Sequence, residues 1–273
     1  MDPTDAAVRG RDDRHDGGRG RARDRLMNLI AETVGWLTDP VNWSGAAGVP
    51  TRLAEHLLVS AIALALTVAI ALPIGLLVGH TRRGASLAVN LANIGRALPT
   101  LALITIVLPF TSMIDPQTGF KYYPTIFALV VLGIPPVLVN TYVGISGVDA
   151  ELVESARGMG LREGQILRRV EIPVALPILA GGIRSAATQI VATATLGAIF
   201  GGGGLGRYLV EGIAQKDNGK IFGGVVLVAT LCLLTEAVFV LLQRRVTSPG
   251  LAQPRLGASS RVQPGAPAGA AGR

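Results

Sequence analysis

The feature that most constrains this sequence is an apolar run from Leu57 to Gly79 that contains no charged side chain. A helix of this length covers the roughly 30 Å of a bilayer's hydrocarbon core. Inside lipid the backbone must satisfy its own hydrogen bonds, which a helix does and an open strand does not. The run therefore predicts a transmembrane helix.

Four more stretches of the chain have the same apolar character. With the first run they predict five spanning helices, over about 57–79, 96–114, 124–147, 177–200 and 221–243. Only 16% of the residues are charged, which is low for a soluble domain. We therefore expect an all-α integral membrane protein with a transmembrane domain over 51–245.

The two ends of the chain have a different composition. Residues 1–25 are rich in Arg, Asp and Gly, and residues 246–273 in Pro, Gly and Ala. Neither can bury enough apolar surface to fold, so both are predicted to be disordered tails. Residues 26–50 carry apolar side chains at helical spacing over too short a length to span, and we expect an amphipathic segment on the membrane surface.

Basic side chains concentrate in three connections, 82–83, 149–173 and 244–245. Because such residues stay on the cytoplasmic side, the connection 149–173 and the C-terminus are predicted to be cytoplasmic and the N-terminus outside. The formal net charge of +7 could also indicate a nucleic-acid binder. The basic residues lie in tails and short connections, however, so no nucleic-acid partner is expected.

The connection 149–173 is polar and punctuated by glycine. Its first part opens like a helix with acids in the first turn, Gly158 and Gly160 break that helix, and Leu161–Val170 resumes a helical pattern. The sequence predicts a helix, a glycine turn and a second helix. An ordinary polar loop is the alternative interpretation.

This connection resembles the signature of the permeases of ATP-binding-cassette (ABC) importers, which is Glu-Ala-Ala, three residues, Gly, nine residues and Ile-x-Leu-Pro. The corresponding stretches here are Glu154–Ala156, Gly160 and Val170–Pro173. In that family the connection is a coupling helix that docks on an ATPase. The resemblance implies docking residues at Glu154, Ser155, Ala156, Gly160, Leu161, Ile172 and Pro173.

The resemblance covers about residues 50–243 and is closest to the subfamily that takes up osmoprotectants such as glycine betaine, carnitine and choline. Residues 96–109, 133–161 and 194–214 carry it. It implies the five-helix core of the type I importer permease fold and a transport subunit that is not an enzyme. A permease for another small solute such as methionine, or an ion-coupled secondary transporter, is the alternative.

The resemblance also implies the partners. They are an ABC ATPase, an extracytoplasmic substrate-binding protein, and a second permease that is either a copy of this chain or a sister chain, all in membrane lipid. No phosphate-binding G-x-x-x-x-G-K-[ST] motif occurs. We therefore expect no cofactor on this chain and place ATP and Mg²⁺ on the ATPase. The scattered histidines His15, His56 and His80 predict no metal site.

Two further sets of residues are candidates for a role inside the membrane. The first set comprises residues where a transport pathway could bend or open: Pro135, Pro136, Gly201, Gly203 and Gly206. For the three glycines, a simple helix terminus is the alternative interpretation. The second is Glu236, predicted to pair with Arg184, or alternatively with Arg96, as a buried structural tie. An unpaired charge at mid-membrane would cost about 2.5–3.5 kcal/mol.

Overall fold

A computed structural model describes residues 21, 23–84, 86, 89–90, 93–95, 98–116 and 119–246. In those residues every regular element is helical, and the expected all-α architecture is confirmed. The main helices are α1 (23–38), α2 (Val49–Thr81), α3 (Thr100–Ile114), α4 (Tyr123–Ser146), α5 (Ala150–Gly158), α6 (Glu163–Ile166), α7 (Ile172–Thr193), α8 (Gly206–Gln215) and α9 (Asn218–Val246).

Three of these helices, α2, α4 and α9, are long and apolar enough to cross a membrane. They correspond to the spans predicted at 57–79, 124–147 and 221–243. The other two predicted spans have different limits. Helix α3 is apolar but only 15 residues long, and α7 carries Arg184 and Gln189 and gives way to a 3-10 turn at Ala194–Phe200. A total of five spans remains a prediction.

Small residues bring the central helices into close contact. A Cβ added at Gly75 or Gly79 of α2 would lie 2.7 Å from the Cβ of Thr141 or Ile145 of α4. Glycines four residues apart lie on one helix face, so this pair forms the groove that receives α4. Helix α4 packs in turn against α7, and α9 packs on α7 and α8. The core of the bundle is therefore built from α2, α4 and α7.

The bundle has two distinct ends. At one, which we call the α5 end, α2 and α4 terminate and α7 begins. At the other, the glycine end, Glu55 near the start of α2 accepts a hydrogen bond from the Gly204 backbone N–H at 2.8 Å. Helices α2 and α4 consequently run in the same direction, and α7 runs back against them.

The connection 149–173 has the predicted order of helix, glycine turn and helix, with adjusted limits. The Asp149 side chain caps α5 by accepting from the Glu151 backbone N–H at 2.9 Å. Gly158 is still helical, and the chain turns at Gly160. Between α6 and α7, Leu167–Glu171 forms a π-helical turn in which the Ile172 N–H donates to the Leu167 carbonyl.

Helical residues precede the predicted Leu26, since residues 23–25 and residue 21 are also helical; arginine is a good helix former. The Trp36 ring meets the edge of Tyr208 in α8 at a centroid distance of 4.9 Å and lies directly on Gly223 of α9. The segment is thus attached to the bundle. Its location at the membrane surface remains a prediction, and the tails at 1–20 and 247–273 lie outside the described residues.

Candidate functional site

Helix α5 presents two adjacent faces with different surroundings. Val153 packs toward the core cluster around Ile145 and Leu179, and Ala156 is only 2% exposed. On the neighbouring face Leu152 and Met159 are 45% and 75% exposed. A helix that leaves two apolar side chains uncovered, one of them beside a turn, offers a surface for another protein.

The seven residues predicted to form the docking site are distributed between these faces. Glu154, Ser155 and Gly160 are exposed, as is Pro173, whereas Leu161 and Ile172 are half-buried. Ala156 points inward, so its small side chain serves packing within this chain and not the exposed face. Leu152 and Met159 were missed; their seven-residue spacing on one helix face is the pattern that would have indicated them.

Gly160 is required by its backbone conformation. Its φ is +84°, and a Cβ added there would meet no atom within 4 Å. The left-handed region is costly for residues with a side chain. The glycine of the signature is therefore required for the turn after α5. Close approach of another helix is not needed to explain the glycine.

An ion pair joins the two sides of that turn. The Arg157 guanidinium donates from Nε to Glu163 Oε1 at 2.8 Å and from its terminal nitrogen to Glu163 Oε2 at 3.2 Å. This bidentate arrangement holds the pKa of the Glu163 carboxyl below its ordinary value of 4.5. Both side chains are more than half exposed, at 53% and 55%, so added salt weakens the pair.

His80, in the last turn of α2, extends this contact into the bundle. Its Nδ1 lies 2.6 Å from Glu171 Oε2, and its Nε2 lies 3.4 Å from Glu163 Oε2. The Glu171 side chain is 7% exposed and that of His80 is 16% exposed. Removing His80 would leave the buried Glu171 carboxylate without this partner, at a cost of about 1–3 kcal/mol or more. The polar contacts therefore run from α5 through α6 to α2 and the start of α7.

These polar contacts around His80 were not predicted from the sequence. Glu171 occupies the unspecified position of the Ile-x-Leu-Pro signature, and its partner His80 is 91 residues away. One indication of this contact was present in the sequence. Glu171 is a carboxylate between the apolar residues that lead into a predicted span, and a buried charge there needs a partner.

The predicted intramembrane pair is close in space. Arg184 Nε of α7 lies 3.3 Å from Glu236 Oε1 of α9, and Glu236 Oε2 accepts from the Thr188 hydroxyl at 3.0 Å. The alternative partner, Arg96, lies outside the described residues. Whether the pair is a structural tie remains a prediction.

The proline and glycine candidates do not form one constellation. Pro135 and Pro136 are buried in the middle of α4, where a Cβ at Gly182 of α7 would lie 2.8 Å from the Pro136 carbonyl oxygen. Gly201, Gly203 and Gly206 lie at the glycine end, near the start of α4 and roughly 15 Å of helix away. The prolines therefore contribute to α4–α7 packing.

The glycines pack tightly against neighbouring segments. A Cβ at Gly203 would overlap the Glu55 carboxylate, and one at Gly206 would overlap the Thr195 carbonyl. Glu55 is also held by Arg52 at 3.0 Å. This loop is thus a closely fitted cover over the start of α2, and its role in a pathway remains a prediction.

The model of one protein family matches residues 71–248, which is more than half of the chain. Its description is "Binding-protein-dependent transport system inner membrane component". The chain belongs to this family. It is accordingly a permease of the cell membrane and not an enzyme, and in such systems a separate subunit hydrolyses ATP.

Curated relatives of this permease match along most of their length. It is 36% identical over 200 residues to the glycine betaine/carnitine/choline transport system permease protein OpuCB of Bacillus subtilis, covering 73% of this chain and 89% of the relative. It is 34% identical over 197 residues to the choline transport system permease protein OpuBB of the same organism, covering 72% and 88%.

A solved structure of the inward-facing MetNI methionine ABC transporter is similar in fold. It has a TM-score of 0.64 and 26% identity, and covers 71% of this permease and 94% of that chain. The predicted architecture of a type I importer permease is therefore confirmed.

Proposed function

We propose that this permease translocates a small osmoprotectant of the glycine betaine, carnitine and choline class into the cell, driven by ATP. The observation that carries the proposal is the match along 89% of a relative whose name states that class. Methionine is the competing solute, because the MetNI transporter shares the fold at 26% identity. The higher identity to the osmoprotectant permeases favours the first class.

The proposal includes the arrangement of the complex. Five helices cross the membrane, the connection 149–173 and the C-terminus face the cytoplasm, and the N-terminus lies outside. A second permease, identical or related, completes the pathway, and an external binding protein delivers the solute. The ATPase, which holds ATP and Mg²⁺, docks on α5. The exposed apolar pair Leu152 and Met159 supports this docking face.

Reconstitution of the whole complex in liposomes tests the solute class. With the binding protein outside and ATP inside, we expect uptake of labelled glycine betaine that unlabelled choline or carnitine reduces and unlabelled methionine does not. Uptake that methionine competes for, or uptake that persists without ATP and follows an ion gradient, would contradict the proposal.

A second experiment tests the docking face. Leu152→Asp places a charge on the exposed face of α5 and should reduce co-purification of the ATPase with the permease. Ile213→Asp is the matched control, because Ile213 is an exposed apolar residue, 66% accessible, on α8 at the opposite end. Equal ATPase recovery from both variants would contradict docking on α5.

A further inference from the structure

We propose that His80 and Glu171 are positioning residues that transmit displacement of α5 to α2. The inference rests on the proposed function, because it takes α5 to be the helix moved by the ATPase. It assigns a role to two side chains that lie outside the docking face and are buried behind it.

Two kinds of contact connect α2 with the docking connection. Leu72 and Leu76 of α2 pack with Val153, Leu167 and Ile172 around one apolar cluster. Apolar contact is non-directional, so it permits the surfaces to slide. His80 makes a directional hydrogen-bond contact with Glu171 at 2.6 Å and a longer electrostatic contact with Glu163 at 3.4 Å. They therefore determine where the end of α2 lies relative to α5.

The two carboxylates around His80 differ in how firmly they are held. Glu171 is buried and its oxygen is 2.6 Å from Nδ1, whereas Glu163 is exposed, 3.4 Å from Nε2, and already bonded to Arg157. Glu171 thus anchors the imidazole to the start of α7, while Glu163, which also accepts from Arg157, connects it to α5.

Burial of Glu171 beside the half-buried His80 is difficult to explain by stability alone. Removing two charged or polar groups from water is costly, and apolar residues of similar volume hold helices together as well or better. A buried polar pair instead specifies one relative position of the elements it joins. Here those elements are the end of α2 and the start of α7.

Displacement of the end of α2 would reach the centre of the bundle. Gly79, the residue before His80, packs directly on Ile145 of α4, and Gly75 packs one turn earlier on Thr141. Close-packed helices of this kind do not deform locally, so the end of α2 moves together with α4. Motion of α5 thereby becomes motion of two membrane helices.

The test is the amount of solute transported per ATP hydrolysed in the reconstituted complex. Coupling between sites typically changes equilibria by about 5- to 150-fold. For His80→Ala we expect this ratio to fall roughly tenfold while ATP hydrolysis is retained. Thr81→Ala is the control, because the Thr81 hydroxyl has local partners, the Leu77 carbonyl at 2.7 Å and the Arg83 backbone N–H at 3.4 Å, and its ratio should not change.

A double variant separates positioning from simple stabilisation. His80→Leu with Glu171→Leu replaces the polar pair by apolar packing and should assemble with normal thermal stability. If the pair positions α2, the double variant still transports little solute per ATP. Restoration of the normal ratio by this variant would overturn the inference, as would an equal fall of hydrolysis and uptake in His80→Ala.

Uptake by the unsubstituted complex distinguishes a failure of the proposed function from a failure of the inference about His80. If it performs no ATP-dependent uptake of the osmoprotectant, the proposed function is wrong. If it transports normally and His80→Ala does as well, the proposed function stands and the role of His80 is refuted.

Discussion

Neutralising one member of the Arg184–Glu236 pair should destabilise the permease more than neutralising both. The two side chains are 3.3 Å apart, and Glu236 lies seven residues, or roughly 10 Å of helix, before the end of the predicted span at residue 243. That is about a third of the ~30 Å thickness of a hydrocarbon core. The pair is therefore expected inside the hydrocarbon, where an uncompensated charge is costly.

The size of the effect follows from the depth of the pair. An unpaired charge at mid-membrane costs about 2.5–3.5 kcal/mol. The pair is expected about a third of the way into the hydrocarbon core, so the cost should be smaller. We expect Glu236→Gln to lower the free energy of unfolding by about 2 kcal/mol, roughly thirtyfold in the equilibrium. Replacement of both residues by Met should cost close to nothing.

The assay is reversible unfolding in mixed detergent micelles, followed by tryptophan fluorescence. Trp36 reports on the bundle because it packs on Tyr208 and Gly223. Thr235→Ala is the control, since the Thr235 hydroxyl bonds only to the Leu231 carbonyl of its own helix, at 2.8 Å. A double variant as unstable as Glu236→Gln would refute the electrostatic reasoning, and so would a Glu236→Gln variant as stable as the control.

Three further outcomes are expected. Gly160→Ala should weaken co-purification of the ATPase, because a residue with a side chain adopts a φ of +84° at a cost of about 1–2 kcal/mol. Gly158→Ala is the control, because Gly158 lies in regular helix and its replacement should have no effect. Equal effects of the two variants would contradict the role of the turn. The pKa of Glu163 in the folded protein is lower than its ordinary value of 4.5. The ion pair with Arg157 therefore contributes its full stability above about pH 4.5, and that stability is lost as the pH falls through the lowered pKa. The protection factor for amide exchange in this segment, which corrects for the intrinsic pH dependence of exchange, should therefore fall only below about pH 4.5, and Arg157→Gln should remove that dependence. Gly203→Ala should lower thermal stability by about 1–3 kcal/mol, since its Cβ would overlap a carboxylate; an unchanged melting temperature would contradict this.

The long apolar helices could be predicted from sequence because hydropathy and length alone define a membrane span. The predicted limits of α4 and α9 differ from the observed ones by only a few residues. The start of α2 was placed too late, because a search for uncharged runs stops at Glu55. In the structure Arg52 and Glu55 neutralise each other at 3.0 Å, so the helix continues back to Val49.

Contacts between distant residues could not be predicted in the same way. No local pattern relates His80 to Glu171, and the inward orientation of Ala156 depends on how α5 lies against the bundle. The signature of the connection predicted the glycine turn, which is observed at Gly160, and a docking role, which remains a prediction. It carried no information on the side chains that hold this segment in place.

The π-helical turn at Leu167–Glu171 has a geometric consequence for the signature itself. One residue more than in an α-helix is accommodated there, and each residue of a helix corresponds to a rotation of about 100°. Deleting a single residue from this turn would shorten the connection only slightly but would rotate α5 and α6 about the axis of α7. Glu163 of α6 would then no longer lie beside His80. The fixed number of residues between Gly160 and Pro173 thus sets an angle more than a length: it determines the direction in which the exposed side chains of α5 point.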